Sequence, residues 1–306
     1  MWSHQYDQQV NQVECSSRSD RTWVDNGPDA NIYGLEPNYG CCTSNFSQGW
    51  PKFAAHLWMT DDQDGLIATA YAPSRVHHQV QGVPVTVTLE TEYPFRQELS
   101  FKVKVDQTLR FTLFLRIPAW ATSASLRIGN DAQVQPEAGN YYAIEREWDG
   151  VTNIQLKLPM QPVLNPRPRG AVSIQRGPLV YALKIGEEWH RIHSDQPNRA
   201  LPHADWEVFP TTSWNYALIV DENTLAQNIT FKERPVAYVP FSPEGAPNLA
   251  LVTGRRVRDW QVENGSAGDV PASPVETDSP PEQLTLIPYG CTNLRIAEFP
   301  VVAKNP

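Results

Sequence analysis

The sequence predicts a mainly β protein with two β-sandwich domains, and three observations carry that expectation. Beyond about residue 60, short runs of alternating apolar and polar residues recur at a spacing of about 8–12 residues, the rhythm of a sandwich or barrel. Helix-like three- and four-residue spacing is confined to one segment before the Asp61-Asp-Gln-Asp-Gly65 turn. The 27 prolines and 17 glycines supply many turns between short elements.

Residues 1–47 carry little periodicity and many Asn, Gln, Asp and Gly, so they read as long loops with one short strand near residues 8–15. The main helix is expected over residues 48–59. Pro51 suits a first helical turn, and Trp50, Phe53, Ala54, Leu57 and Trp58 recur at helical spacing. Strands are then expected at 66–71, 83–89, 99–105, 109–117, 123–128, 141–147 and 153–158. In the second of these, Val85, Val87 and Leu89 alternate with Thr86, Thr88 and Glu90. The proline-rich stretch 159–168 reads as a hinge. A strand pair follows within 170–184, then strands at 214–220, 236–239, 249–252, 284–287 and 294–299. Residues 262–282, rich in Ser, Pro, Gly and acids, read as an exposed mobile loop. The sandwiches thus fall at 61–162 and 163–306.

A chain of 306 residues is long enough for two or three domains and buries about 75% of its unfolded surface, so it needs no disulfide framework. A net charge of −9 without a basic cluster argues against nucleic acid as a partner. No stretch of about 20 apolar residues is present, which argues against a membrane span. The opening run Met1-Trp-Ser-His-Gln-Tyr has neither the basic nor the apolar region of a signal peptide, which leans toward the cytoplasm. It also reads as the interior of a domain whose natural beginning is missing.

The chain has four cysteines, and two of them, Cys41 and Cys42, are adjacent. Neighbouring thiols close into a strained ring only with difficulty. Two thiols aimed at one place suit binding a borderline metal such as Zn²⁺. A thiolate so held is a strong nucleophile, because the metal pulls its pKa below the free value of about 8.5. The plainer alternative is two buried cysteines serving as small hydrophobes. A helix beginning just after them would further favour thiolates through its positive end.

The surroundings of the pair favour the metal. The ordered set His4-Gln-Tyr-Asp-Gln-Gln-Val-Asn-Gln-Val13, Asn26-Gly-Pro-Asp-Ala-Asn31, Gly34-Leu-Glu-Pro-Asn-Tyr-Gly-Cys-Cys-Thr-Ser-Asn45 and Gln48-Gly-Trp-Pro-Lys-Phe53 resembles the β-L-arabinofuranosidase-like glycoside hydrolases of family 127. Thr91-Glu-Tyr-Pro94, the Leu-Arg-Ile-Pro-Ala-Trp120 run, Arg176-Gly-Pro-Leu-Val-Tyr181 and Trp214-Asn-Tyr-Ala-Leu218 resemble landmarks of their sandwich domains. The resemblance implies an (α/α)6 catalytic barrel followed by two sandwiches, with residues 1–60 as the last loops and helix of that barrel. It implies retaining hydrolysis of an arabinofuranoside-containing glycan or oligosaccharide. Cys41 then matches the nucleophile, and Cys41 and Cys42 match ligands of Zn²⁺. The family's acid/base glutamate and remaining zinc ligands fall in a Glu-x-Cys region expected upstream of Met1. Glu14-Cys15 lacks the intervening residue and reads as a local coincidence.

Other residues divide between site and scaffold. His4, Gln5 and Tyr6 combine polar groups with an aromatic face, as sugar pockets do; a solvated loop is the alternative. Asn45 is a substrate-binding candidate or a helix cap, with capping favoured. Glu36 is the nearest carboxylate to Cys41 and reads mainly as a loop brace. His77 and His78 point to opposite faces of a strand and do not chelate together. Three functions stay open: the hydrolase, present as a fragment; a non-catalytic carbohydrate-binding sandwich; and a scaffold in which the cysteine pair is structural.

Overall fold

The structure, a computed structural model, describes residues 5–34 and 40–303, apart from the side chain of Thr43. Trp2, His4 and Glu36 lie outside the described residues. The fold is mainly β, as the alternation requires. It forms two compact units, Gln48–Gln161 on one hand and Met1–Ser47 with Pro162–Pro306 on the other. This differs from the expected division at its first boundary: residues 1–47 belong with the C-terminal half and residues 48–60 with the first set of strands.

Two short helices open the described core, α1 (Gly40–Phe46) and α2 (Gly49–Ala55). The expected 48–59 helix is therefore half that length. His56 closes it, and Trp58, Met59 and Thr60 extend instead as β1 (Trp58–Thr60) against β2 (Leu66–Ala68). The Asp61 carboxylate makes that reversal by accepting the Gln63 and Gly65 amides at 2.9 and 2.7 Å. Trp58 packs edge-on to Phe101 and Leu57 is buried, whereas Trp50 stays 64% exposed.

The Gln48–Gln161 unit continues with β3 (Ser74–Val80), β4 (Val83–Thr91), β5 (Glu98–Val105), β6 (Leu109–Arg116), β7 (Ser125–Ile128), β8 (Tyr141–Trp148) and β9 (Val151–Lys157). One sheet runs β3-β4-β5-β9-β7 and the other β1-β2-β6-β8. Only β2–β6 is parallel. One core draws on both sheets, which makes this a sandwich: Val85, Phe101, Ile154 and Leu126 from the first meet Leu66, Leu113, Ile144 and Trp148 from the second. The alternation is the cause. In β5, Leu99, Phe101, Val103 and Val105 are buried while Lys102 and Lys104 are exposed. Gln81 and Gly82, both at positive φ, form the two-residue turn between β3 and β4.

The other unit holds β10 (Pro162–Pro166), β11 (Val172–Arg176), β12 (Leu179–Leu183), β13 (Glu187–Ile192), β14 (Asp205–Pro210), β15 (Tyr216–Leu218), α3 (Leu225–Asn228), β16 (Ile229–Glu233), β17 (Asn248–Arg256), β18 (Val262–Glu263), β19 (Ser266–Ala267) and β20 (Pro281–Pro288). Its main sheet runs β10-β11-β12-β20-β17-β15, with β16 sharing the same edge of β17. Strands β13–β14 and β18–β19 form separate hairpins. Three expectations need correction. The proline-rich 159–168 stretch contains an edge strand, where a missing N–H costs nothing on the open side. Residues 236–239 form no strand, and Tyr238 is fully exposed. Residues 262–282 contain the β18–β19 hairpin and buried Ser266 and Ser279 rather than a free loop.

The N-terminal segment is built into this unit through single bridges. Gln12 pairs with Arg295, Cys15 with Val208 and Tyr33 with Trp206. No strand forms across residues 8–15, where Gln12 and Cys15 make single bridges to different partners.

Candidate functional site

Cys41 and Cys42 lie in the first turn of α1, a helix of its own rather than the approach to a longer one. Their sulfurs are 3.4 Å apart. Cys41 is exposed and Cys42 half-buried, so the reading of two core hydrophobes does not describe them. Asn45 donates through Nδ2 to the Cys41 carbonyl at 2.7 Å, and Ser44 donates to the same oxygen at 3.0 Å. Both side chains thus bond back onto the helix backbone around the pair.

Tyr6 completes the group. Its hydroxyl hydrogen-bonds Cys42, and that bond is the chief cause of a raised Tyr6 pKa. Cys42 is also pushed up, first by its hydrogen bond with Cys41 and then by desolvation, while the Tyr6 bond pulls it down. The tyrosine thus donates to Cys42, and the contact with Cys41 and desolvation hold the Cys42 proton.

Gln5 takes no part in that surface. It is buried, donating to the Asn31 carbonyl at 2.6 Å and toward the Cys15 sulfur at 3.2 Å, and accepting from Gln12 Nε2 at 2.9 Å. Asn31 Nδ2 in turn donates to the Asp7 carbonyl and to Gln12 Oε1. The amide-rich run therefore forms a buried network that fixes the backbone on either side of Tyr6, at Gln5 and Asp7. Cys15 sits inside it, with its thiol pushed up to about 12 by burial. Its neighbour Glu14 is held by Ser16 and by Arg18 at 3.3 Å.

Two zinc–sulfur bonds of about 2.3 Å at a tetrahedral angle span about 3.8 Å, so sulfurs 3.4 Å apart reach two neighbouring ligand positions. Among the described residues, however, no group of three His, Cys, Asp or Glu comes together. These residues fit half of a four-coordinate shell and do not complete it.

Sequence reading missed two features. Asp205, fully buried, bonds His193 Nδ1 at 2.9 Å and pairs with Arg199 Nε at 2.8 Å on the β13–β14 hairpin. No local spacing announces a contact across the 193–204 loop. The second is a cleft beside β11 and β20, lined by side chains distant in sequence.

Comparison with known proteins bears on the whole chain. Residues 65–160, most of the first sandwich, match the family model for the β-L-arabinofuranosidase GH127 middle domain. No curated protein matches the sequence. Among solved structures, a GH127 β-L-arabinofuranosidase from Geobacillus stearothermophilus T6 is 23% identical, with a TM-score of 0.56 over 84% of this chain and 36% of its own. A protein described as a glycoside hydrolase is 16% identical, with a TM-score of 0.63 over 94% of this chain and 44% of its own. A GH127 β-arabinofuranosidase is 15% identical, with a TM-score of 0.57 over 98% of this chain and 42% of its own. The chain thus spans less than half the length of each of these proteins. By sequence in residues 65–160 and by fold nearly throughout, it resembles the GH127 β-L-arabinofuranosidases, the same family to which the cysteine motif pointed.

Proposed function

We propose that this chain is the C-terminal part of a retaining glycoside hydrolase acting on β-L-arabinofuranosides, with Cys41 as nucleophile. The observation that carries the reading is the group of Tyr6, Cys42 and Cys41, in which the exposed Cys41 sulfur lies 3.4 Å from a Cys42 that the Tyr6 hydroxyl bonds. In the first step the Cys41 thiolate forms a bond to the anomeric carbon. The glycosidic C–O bond breaks, and the leaving oxygen takes a proton from a carboxylic acid. In the second, water attacks the same carbon, the C–S bond breaks, and the carboxylate takes the proton of water. The acid belongs to residues beyond the 306, a division supported by the partial coverage of the related structures.

Cys41 and Cys42 would supply two ligands of a Zn²⁺ ion whose other ligands also lie outside the chain. Such an ion, when bound, lowers the thiol pKa and supplies positive charge beside the sulfur. The residues of this chain contribute the rest: Tyr6 donates to the Cys42 sulfur, and Ser44 and Asn45 bond the Cys41 carbonyl.

A second reading, a carbohydrate-binding sandwich without turnover, draws on the absence of a third metal-ligating side chain near the pair among the described residues. The deciding experiment uses the longer parent protein and an aryl β-L-arabinofuranoside. Cys41→Ser is expected to abolish release of the aryl group, because a neutral hydroxyl is a far weaker nucleophile at pH 7. Full turnover by that variant would remove the cysteine mechanism. The 306-residue chain alone is expected to bind Zn²⁺ weakly and to hydrolyse nothing.

A further inference from the structure

The Met1–Ser47/Pro162–Pro306 unit contains a cleft of about 440 Å³, within the usual size range of small-ligand sites. None of Tyr6, Cys41 or Cys42 lines it. Its walls are largely apolar, with Val10, Phe241 and the Tyr289 ring among them. The aromatic rings are fixed. Arg295 lies over Tyr289 at 4.6 Å, and a Cβ built on Gly290 would stand 3.3 Å from the Phe241 ring, so that ring rests against bare backbone. Phe241 is nevertheless half exposed, an unusual cost for a held aromatic side chain.

Three polar side chains converge on this apolar surface. Arg167 and Glu298 form an ion pair at the wall, with both contacts made to Glu298 Oε1. The Asn11 carboxamide pins the Glu298 backbone at both its N–H and its carbonyl, so the carboxylate is presented from a rigid base. Glu298 Oε2 has no partner among the described residues. Ser173 also lines the cleft; it is over nine-tenths buried and its hydroxyl makes no hydrogen bond among the described residues. The hydroxyl and the carboxylate oxygen in this cleft are thus open to a ligand, or water, with hydrogen-bonding groups of its own.

We infer that this cleft is a sugar-binding site, in which Ser173, Glu298 and Arg167 bond ring hydroxyls while Phe241 and Tyr289 cover an apolar face of the ring. Fixed aromatic faces beside a carboxylate–guanidinium pair match a molecule that is apolar on its C–H face and polyhydroxylated at its edge. A purely apolar ligand would leave Ser173 and Glu298 unsatisfied, and an anion would meet the Glu298 charge. That the ligand is a sugar rather than another polyol rests on the carbohydrate reading above. The site would hold a remote unit of the glycan whose cleavable end is handled by the thiols.

The test is saturation-transfer NMR on the 306-residue chain, with L-arabinose and methyl β-L-arabinofuranoside as probes. The chain is expected to bind at least one of them. Glu298→Gln and Phe241→Ala should each weaken that binding at least tenfold with unchanged thermal unfolding, and Cys41→Ser should leave it unaltered. Absence of transfer to both sugars, binding indifferent to both cleft variants, or binding lost on Cys41→Ser would each overturn the inference. Sugar binding here together with an inactive parent protein would sink the hydrolase reading and leave this one standing.

Discussion

Tyr6 donates its hydroxyl hydrogen to the sulfur of Cys42, and this bond outweighs burial in keeping the tyrosine protonated. The same bond works the other way on the thiol. It opposes the upward push that Cys42 receives from Cys41 and from desolvation. A phenol 36 residues earlier in the chain therefore eases the ionisation of Cys42.

Tyr6→Phe should raise the Cys42 pKa further, because the one effect that lowers it is removed. Alkylation of Cys42 by iodoacetamide, followed by mass spectrometry from pH 7 to 10, should accelerate at a higher pH in the variant. At pH 8 the rate should drop several-fold. A profile displaced to lower pH would mean that the hydrogen bond has the opposite polarity.

Alkaline pH should destabilise the fold. Burial pushes Cys15 and Cys291 from 9.0 up to about 12, and Tyr33 and Tyr71 are raised for the same reason. Folded-state values above the unfolded ones leave stability intact below pH 9 and remove it as pH climbs toward 12. Cys15 alone accounts for about 2 kcal/mol lost between pH 9 and 10.5. Urea titrations at pH 8 and 10.5 should reveal the loss, and Cys15→Ala should shrink it. Equal stability at both pH values would contradict the buried thiol.

Asp205→Ala should be among the most damaging single changes. It strands Arg199, only 6% exposed at its side chain, without the carboxylate that neutralises it. Breaking a buried pair in this way costs about 3–5 kcal/mol. The urea midpoint checks the magnitude, and a loss below about 1 kcal/mol would show that the pair is hydrated.

In the first sandwich, neighbouring positions of β5 should respond oppositely. Phe101, 1% exposed and in contact with Trp58 and Tyr71, should cost about 3–5 kcal/mol as Ala. Lys102→Ala, one residue along and facing solvent, should stay within about 0.5 kcal/mol. Thermal melts of the two variants separate these outcomes.

What the sequence made legible follows from how local its signals were. Val85-Thr-Val-Thr-Leu89 announces both its strand and its buried face, since alternation needs only one sheet to cover one side. Trp58 misled the helix boundary because its apolar side chain fits helical spacing as well as it fits β1. The arbiter was the Asp61 turn and a partner strand at residues 66–68. The β13–β14 hairpin escaped notice because Glu187-Glu-Trp-His-Arg-Ile192 is largely exposed and lacks a clean alternation. At the candidate site the cysteine pair was visible as a motif, and Tyr6 as part of a polar run. Their bond was not, because Tyr6 and Cys42 stand 36 residues apart and no local spacing joins them. Ser173 and Glu298 lie 125 residues apart and no pattern joins them.

The bridges that tie residues 5–34 into their unit bear on the order in which the chain becomes a protein during synthesis. Asn11 receives the Ala297 amide, a partner made 286 residues later. At about 5–20 residues per second, a ribosome needs roughly 15–60 s to supply it. Residues 48–161, a compact unit with a core of its own, emerge complete well before then. The segment that carries Tyr6 therefore waits for the C-terminal residues that will hold it.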